Sequence, residues 1–329
     1  MPTDLSQTLV VGISSTALFD LKDAQHIFSK LKKKDPEKAI EEYRNYMLER
    51  EEEALDPGTG LPLVRALLKL NGHTPGAKEA PITEVIVMSR NSLETGVRVL
   101  NSIREQNLDI SRSAFTAGEP VTDYLQAFNV DLFLTTNEED AQTVIDSGAC
   151  AAAVLSSPPA SPLTSREEVR IALDGDAVLF SDESEIVYQT DGIEEFHKRE
   201  DKAQDDPLPE GPYAGFPKKL AQMQGRLPMR VEYSPVRLAL VTSRDSPAEL
   251  RVIKTLRKWG VYIDMAFFMG GVRKAEVLEA FNPHIFFDDQ DRHLEDIKDR
   301  VPTGKVLYRS NSELRELLEE ESDPRSSHE

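Results

Sequence analysis

The chain has 329 residues, 39% of them hydrophobic and 29% charged, with a formal net charge of −19. That length and apolar content can fill one large core or two smaller ones, while the acidic balance excludes binding along a nucleic-acid backbone, which needs clustered positive charge. A single cysteine, Cys150, excludes an intrachain disulfide and fits a reducing, cytoplasmic setting.

Met1 to Gln7 has no basic segment or long apolar run, and no stretch reaches the roughly 18 apolar residues of a membrane span, so neither a signal peptide nor membrane association is expected. Val10-Val11-Gly12-Ile13, ending at Ser14, predicts a buried strand. Residues 34–56 are highly charged with helical spacing and predict a solvated helix, closed by a turn at Asp56-Pro57-Gly58. Val85-Ile86-Val87-Met88 predicts a second strand, followed by helix, strand, helix and a strand ending at Thr135-Thr136. Cys150 lies within Ala149–Ala153, a small apolar run that reads as packing rather than as a reactive thiol.

Strand-like runs resume at Arg170–Leu173, which leads into Asp174-Gly175-Asp176-Ala177-Val178-Leu179-Phe180. Between Phe180 and Val236 lies a polar insertion, far longer than the roughly five residues of an ordinary connection. Gly192 to Lys202 within it predicts a short helix. Leu238–Val241 runs into Thr242-Ser243-Arg244, a Gly270-Gly271 turn precedes Lys274, and Ile285-Phe286-Phe287 ends in Asp288-Asp289. Leu314, Leu317 and Leu318 share one helical face among glutamates, which predicts a short docked helix with a polar tail from about Ser322.

The chain resembles itself. Shifted by 153 positions, residues 84–137 lie on 237–290 without a gap and with eleven identities in 54 positions. Chance gives roughly one identity in fifteen to twenty. Arg98-Val99 falls on Arg251-Val252, Phe115 on Phe268, and Ala127-Phe128-Asn129 on Ala280-Phe281-Asn282. Gly60-Leu61-Pro62 also resembles Gly215-Phe216-Pro217. An internal duplication is expected, each copy alternating strands and helices, and that alternation implies a parallel sheet with helices on both faces. Ligands bind such sheets along the carboxyl ends of the strands.

At those ends the copies diverge. The second copy carries Asp174, Asp176, Thr242, Lys274, Asp288 and Asp289; the first carries Ser14, Thr16, Ser89, Val121, Thr135 and Thr136. Catalysis is therefore assigned to the second copy, and the first is scaffold, partner surface or binding wall. A lone Asp-x-Asp is weak evidence, because acidic pairs often cap helices or fill turns. The signal is the combination of acids, hydroxyl and lysine after successive strands.

Those residues resemble the four motifs of the haloacid dehalogenase-like superfamily. More narrowly, Val11–Leu21, Gly96–Ile103, Asp174–Glu185 and Asn282–Gln290 are similar to segments of the cytosolic 5′-nucleotidase type I family, in a bacterial-type version. The resemblance implies two Rossmann-like halves: a degenerate one over 1–165 and a catalytic one over 166–310. It places a cap insertion at about 181–235 and leaves a short acidic helix and tail at 311–329. It also implies a Mg²⁺-dependent phosphohydrolase acting on nucleoside 5′-monophosphates, with eukaryotic relatives favouring AMP.

In that reading Asp174 is the nucleophile and Asp176 the general acid and base. The Mg²⁺ ligands are Asp174, the Asp176 carbonyl and Asp288, with Asp289 orienting Asp288 or binding through water. Thr242, Ser243 and Lys274 bind the phosphoryl group. The expected partner is a small nucleotide, not a nucleic-acid polymer or a membrane, and a homo-oligomer is compatible. Tyr188, Phe196, Tyr213 and Phe216 could stack on a base but fit cap core better, and His293 is a secondary candidate for substrate contact. The alternatives are a phosphatase for another small phosphoester, a nucleoside phosphotransferase, and a nucleotide-sensing protein without turnover.

Overall fold

The computed structural model describes residues 4–74, 79–164, 166–227 and 234–322, without the side chains of the last three. The expected tail beyond Ser322 and the end of the polar insertion lie outside the described residues. In chain order the elements begin with β1 (Leu9–Ile13), α1 (Ser15–Leu18), β2 (Phe19–Asp20), α2 (Lys22–Lys32), α3 (Pro36–Glu49) and β3 (Asp56–Pro57). They continue with α4 (Leu61–Lys69), β4 (Thr83–Ser89), α5 (Leu93–Glu105), β5 (Arg112–Phe115), β6 (Leu132–Thr135), α6 (Glu138–Ser147) and β7 (Ala151–Leu155). Next come β8 (Val169–Leu173), α7 (Glu183–Lys202), α8 (Gly215–Gln224), β9 (Val236–Thr242), α9 (Glu249–Trp259) and β10 (Met265–Phe268). The chain closes with α10 (Ala275–Phe281), β11 (Ile285–Asp288), α11 (Asp291–Glu295), β12 (Thr303–Lys305) and α12 (Glu313–Ser322).

Ten strands form one sheet in the order β10-β9-β8-β11-β12-β7-β6-β1-β4-β5. Most of its strands are rich in apolar residues because helices cover both faces; every residue of β1 and β4 is buried, while the edge strand β5 is partly exposed. Each half orders its five strands third-second-first-fourth-fifth, and all pairings within a half are parallel. The halves meet where β12 pairs with β7 antiparallel. Their strands therefore run in opposite directions, and their carboxyl ends lie on opposite edges of the sheet. The strand-end hydroxyls of the first half therefore cannot wall the acids of the second.

The 153-residue shift carries β4 onto β9, β5 onto β10 and β6 onto β11 with no change in bounds. Finer details follow it. Asn129 and Asn282 both close a helical turn in the left-handed region, at φ 52° and 53°. The amide of Asp131 bonds to the Val10 carbonyl as that of His284 bonds to Arg170. In return the Val10 amide donates to the Asp131 carboxylate and the Arg170 amide to His284 Nδ1.

One face of the sheet carries a core continuous across both halves, from Leu9 and Val11 through Leu134 and Ala153 to Ile171, Phe287 and Leu240. The opposite face carries two separate cores, one around Phe133 and Ile86, the other around Phe286 and Val241. Burying each such side chain contributes about 1.5–3 kcal/mol, so the shared face unites the halves. Arg226, just after α8, adds bonds to the carbonyls of Gln7, Ala80 and Pro81.

Within the polar insertion, α7 folds back on itself. Gly192 has φ 79° and ψ 175°, a conformation open to glycine, and breaks the helix into two arms. Ser184 on one arm bonds Glu200 on the other at 2.9 Å; in a straight helix they would stand about 24 Å apart. Tyr188 and Phe196 pack edge to face between the arms. The rest of the insertion turns inward. Tyr213 and Phe216 are fully buried against Phe287, so those two aromatics are core and cannot stack on a base. Asp56-Pro57 forms a short strand paired with β2 rather than the expected turn. The solvated helix expected around residues 34–56 is α3, capped by the Asp35 carboxylate on the Lys38 amide.

Candidate functional site

β8 lies between β9 and β11, where the strand order of the second half reverses. In open α/β sheets that switch point leaves a crevice at the carboxyl ends. Asp174 directly follows β8, while β9 and β11 end in Thr242 and Asp288. The Asp174 amide donates to the Phe287 carbonyl at 2.9 Å, which fixes the start of the turn that follows. That turn, Gly175–Leu179, is tight, with Ala177 at φ 59°. A Cβ on Gly175 would come within 3.0 Å of Thr242 Oγ1. Glycine therefore lets the Thr242 hydroxyl lie directly against the turn.

Lys274, just ahead of α10, places Nζ 2.8 Å from Asp174 Oδ1 and 2.8 Å from Asp288 Oδ2. Asp288 Oδ1 accepts from the Gln290 amide at 2.8 Å, and His293 Nδ1 lies 3.1 Å from Asp288 Oδ2. Asp289 accepts a hydrogen bond from the Tyr308 hydroxyl. Asp176 has a different partner: Arg244 Nε and Nη2 donate to its two oxygens at 2.8 and 2.7 Å. Ser243 is exposed.

Of the expected residues, Asp174, Lys274 and Asp288 thus form one buried cluster, with Thr242 beside the Asp174 turn. Asp289 is the next residue along, and Asp176 is in a separate ion pair. His293, a minor candidate from sequence, touches Asp288 directly. Arg244 and Tyr308 were not singled out. The position of Arg244 directly after Thr242-Ser243 was a visible signal, but its partner Glu200 is remote in sequence and no spacing announced Tyr308.

The electrostatics are unbalanced. Asp174, Asp288 and Asp289 are buried around the Lys274 ammonium. Burial, aided by the Asp288 charge and opposed by Lys274, pushes Asp174 above the usual carboxylate range. Burial and the charges of Asp288 and Asp174 likewise push Asp289 well above that range. Burial also works against ionised Asp288, but Lys274 and His293 outweigh it and hold its pKa down. Burial opposes the Lys274 charge as well, and the two facing carboxylates reverse that and hold the ammonium protonated.

Asp289 Oδ1 is buried without a hydrogen-bond partner among the described residues, and Asp174 Oδ1 faces the Lys274 ammonium. Donor atoms of Asp174, Asp288 and His293 all lie within 4.8 Å of one another. An orphaned carboxylate oxygen in a cluster of three buried carboxylates and one lysine fits a hard divalent cation, which prefers oxygen ligands. A cavity of about 590 Å³ lies between the α7 arms and α9, lined by Ile186, Val187, Phe196 and Glu200 among others.

Comparison with known proteins follows this geometry. A family model described as 5′-nucleotidase matches residues 1–313. A human protein named cytosolic 5′-nucleotidase 1B is 32% identical over 299 residues, covering 89% of this chain and 48% of its own length. The chain thus spans about half the length of that curated relative. No solved structure matches. No helix among the described residues is long and apolar enough to cross a membrane.

Proposed function

The chain belongs to the 5′-nucleotidase family, and on that premise we propose that it hydrolyses nucleoside 5′-monophosphates to nucleoside and phosphate at the carboxyl edge of its second half. The observation that carries this reading is the Lys274 ammonium seated 2.8 Å from both Asp174 and Asp288 at the switch point, with Thr242 ending the neighbouring strand. A phosphate monoester is dianionic and repels a nucleophile, so a site for it needs clustered neutralising groups and fixed donors.

In the proposed reaction an Asp174 carboxylate oxygen attacks phosphorus and the bond from phosphorus to the ribose 5′-oxygen breaks. Asp176 protonates that departing oxygen. Asp176 then takes a proton from the water that attacks the aspartyl-phosphate, releasing phosphate and restoring Asp174. Thr242 holds phosphoryl oxygens, Ser243 assists from its exposed position, and Lys274 balances the charge of Asp174 and substrate. Asp174, the Asp176 carbonyl and Asp288 would hold Mg²⁺, with Asp289 in support. When bound, the ion supplies charge neutralisation and alignment of phosphate with nucleophile.

In this reading the chain is a member of the haloacid dehalogenase-like superfamily. The two halves, 1–165 and 166–310, derive from a duplication in this reading, and the matched strand bounds and hydrogen bonds support that origin. The α7 hairpin serves as the cap, restricting water at the site. The test is phosphate release from AMP, IMP, GMP, CMP, UMP, the deoxynucleotides and a set of sugar phosphates with Mg²⁺. Preference for sugar phosphates would replace the substrate class. Formation of a new nucleotide on adding nucleoside would assign phosphoryl transfer. No turnover of any of them would favour a sensing role.

A further inference from the structure

Among the described residues, the hydrogen bonds to the Asp176 carboxylate come from Arg244. Arg244 grips both carboxylate oxygens with Nε and Nη2, at 2.8 and 2.7 Å, and directs Nη1 to Glu200 Oε2 at 2.5 Å. The Arg244 side chain is 1% exposed and that of Glu200 3%. Glu200 lies on the second arm of the α7 hairpin and takes two further donors, Ser184 Oγ from the first arm and Arg251 Nη1 from α9. The Phe196 ring covers the guanidinium, 5.3 Å from its centre. Next in sequence, Asp245 meets His197 of the hairpin at 2.7 Å. The same segment begins at Thr242, whose hydroxyl accepts the Arg244 amide at 3.3 Å.

We propose that Arg244 is the positioning residue for Asp176, and that its bond to Glu200 makes the placement of that carboxylate depend on the seating of the α7 hairpin. This rests on the reading of Asp176 as acid and base. A planar guanidinium bound side-on fixes both oxygens of its partner and hence the rotation of the carboxyl group. A lysine in its place presents a point charge and leaves that rotation free. Glu200 is already neutralised by Arg251, so anchoring the hairpin alone does not call for two Arg244 donors on Asp176. Proton transfer to a leaving oxygen is sensitive to misplacement, while ground-state binding of phosphate is not. The hairpin that covers the substrate and the acid that acts on it are thereby linked through one guanidinium.

The experiment compares steady-state hydrolysis of a nucleoside 5′-monophosphate by wild type, Arg244→Lys, Asp176→Asn and the double variant, with melting temperature as the check on folding. Wild-type turnover that Asp174→Asn abolishes establishes the underlying reading on its own. Its absence would sink that reading and not this proposal in particular. Given turnover, Arg244→Lys is expected to lower kcat by about 10- to 100-fold with KM within about threefold. In the Asp176→Asn background the same change should cost less than about twofold, because the residue it acts through is gone. An equal loss in both backgrounds, or a loss confined to KM, overturns the proposal. If Arg244→Lys does not fold, Glu200→Gln decides: a fall in kcat of about three- to tenfold that disappears in the Asp176→Asn background upholds the link, and unchanged kcat refutes it.

Discussion

The two halves present the same backbone with opposite chemistry at their strand ends. The Ser14 amide bonds to the Leu134 carbonyl as the Asp174 amide bonds to Phe287, both at 2.9 Å. Ser89 stands where Thr242 stands, Val121 where Lys274 stands, and Thr135-Thr136 where Asp288-Asp289 stand. In the first half the hydroxyls satisfy one another: Thr136 bonds Thr16 at 2.6 Å, Ser14 meets Thr16 at 3.1 Å, and Ser15 meets Ser89 at 2.9 Å. In the second half three buried carboxylates share one lysine, and Asp289 Oδ1 is buried without a hydrogen-bond partner among the described residues. A fold of this kind tolerates either edge, and only the charged one has the chemistry that the proposed metal and phosphate would require.

The sharpest way to break that contrast is to exchange the first strand-end residue in each half. Asp174→Asn keeps the shape and should lower phosphate release by more than about a thousandfold. Ser14→Ala, at the matching place, should leave kcat within about twofold. Comparable losses from both would mean that the first half takes part in the chemistry.

Removing the ion should come next in size. Excess chelator is expected to stop turnover, and Mg²⁺ to restore it and raise the melting temperature, since a ligand that binds the folded state stabilises it. Full activity in chelator would remove the metal from the account. Lys274→Ala should reduce kcat by about a hundredfold. Without Mg²⁺ it should also destabilise the fold by about 3–5 kcal/mol, by leaving buried carboxylates unpaired. Val121→Ala in the first half removes only apolar contacts and should leave activity intact. Denaturant titration separates the two effects.

The smallest expected effect concerns Cys150, beside β7 in the first half. Burial pushes its thiol up to about 12, and the Asp131 charge adds to this. The folded pKa lies above the unfolded one, so this contribution to stability is fully present below about pH 9 and is lost as pH rises toward 12. Alkylation near pH 8 should be far slower than for an exposed thiol, and Cys150→Ala should flatten the alkaline decline in stability. Rapid labelling at pH 8 would contradict the burial.

Much of the site was legible because strand ends carry its residues and apolar runs mark strands. Asp174, Thr242, Lys274 and Asp288 could be placed on one edge from order alone. His293 was harder, because a helix begins between it and the strand and only the folded turn brings its ring to Asp288. Arg244 was printed beside Thr242, yet nothing local reveals that its partners are Asp176 and Glu200, one of them across a helical hairpin. Tyr213 and Phe216 read as core of a cap, but the chain turns inward after α7 and buries them against Phe287 of the sheet instead.

Local patterning by itself determined the alternation of strands and helices, the correspondence between the halves, and the contrast between a neutral and an acidic edge. Each of these is a property of runs and spacings, set by which side chains must leave water. Only the tertiary structure decided that the halves join antiparallel through β7 and β12, so that their strand ends face opposite ways. It also decided that Asp176 is held by Arg244 and that α7 doubles back at Gly192. Those outcomes depend on pairing between residues far apart in the chain, where hydrogen bonding and charge compensation select among arrangements that the hydrophobic pattern leaves equivalent.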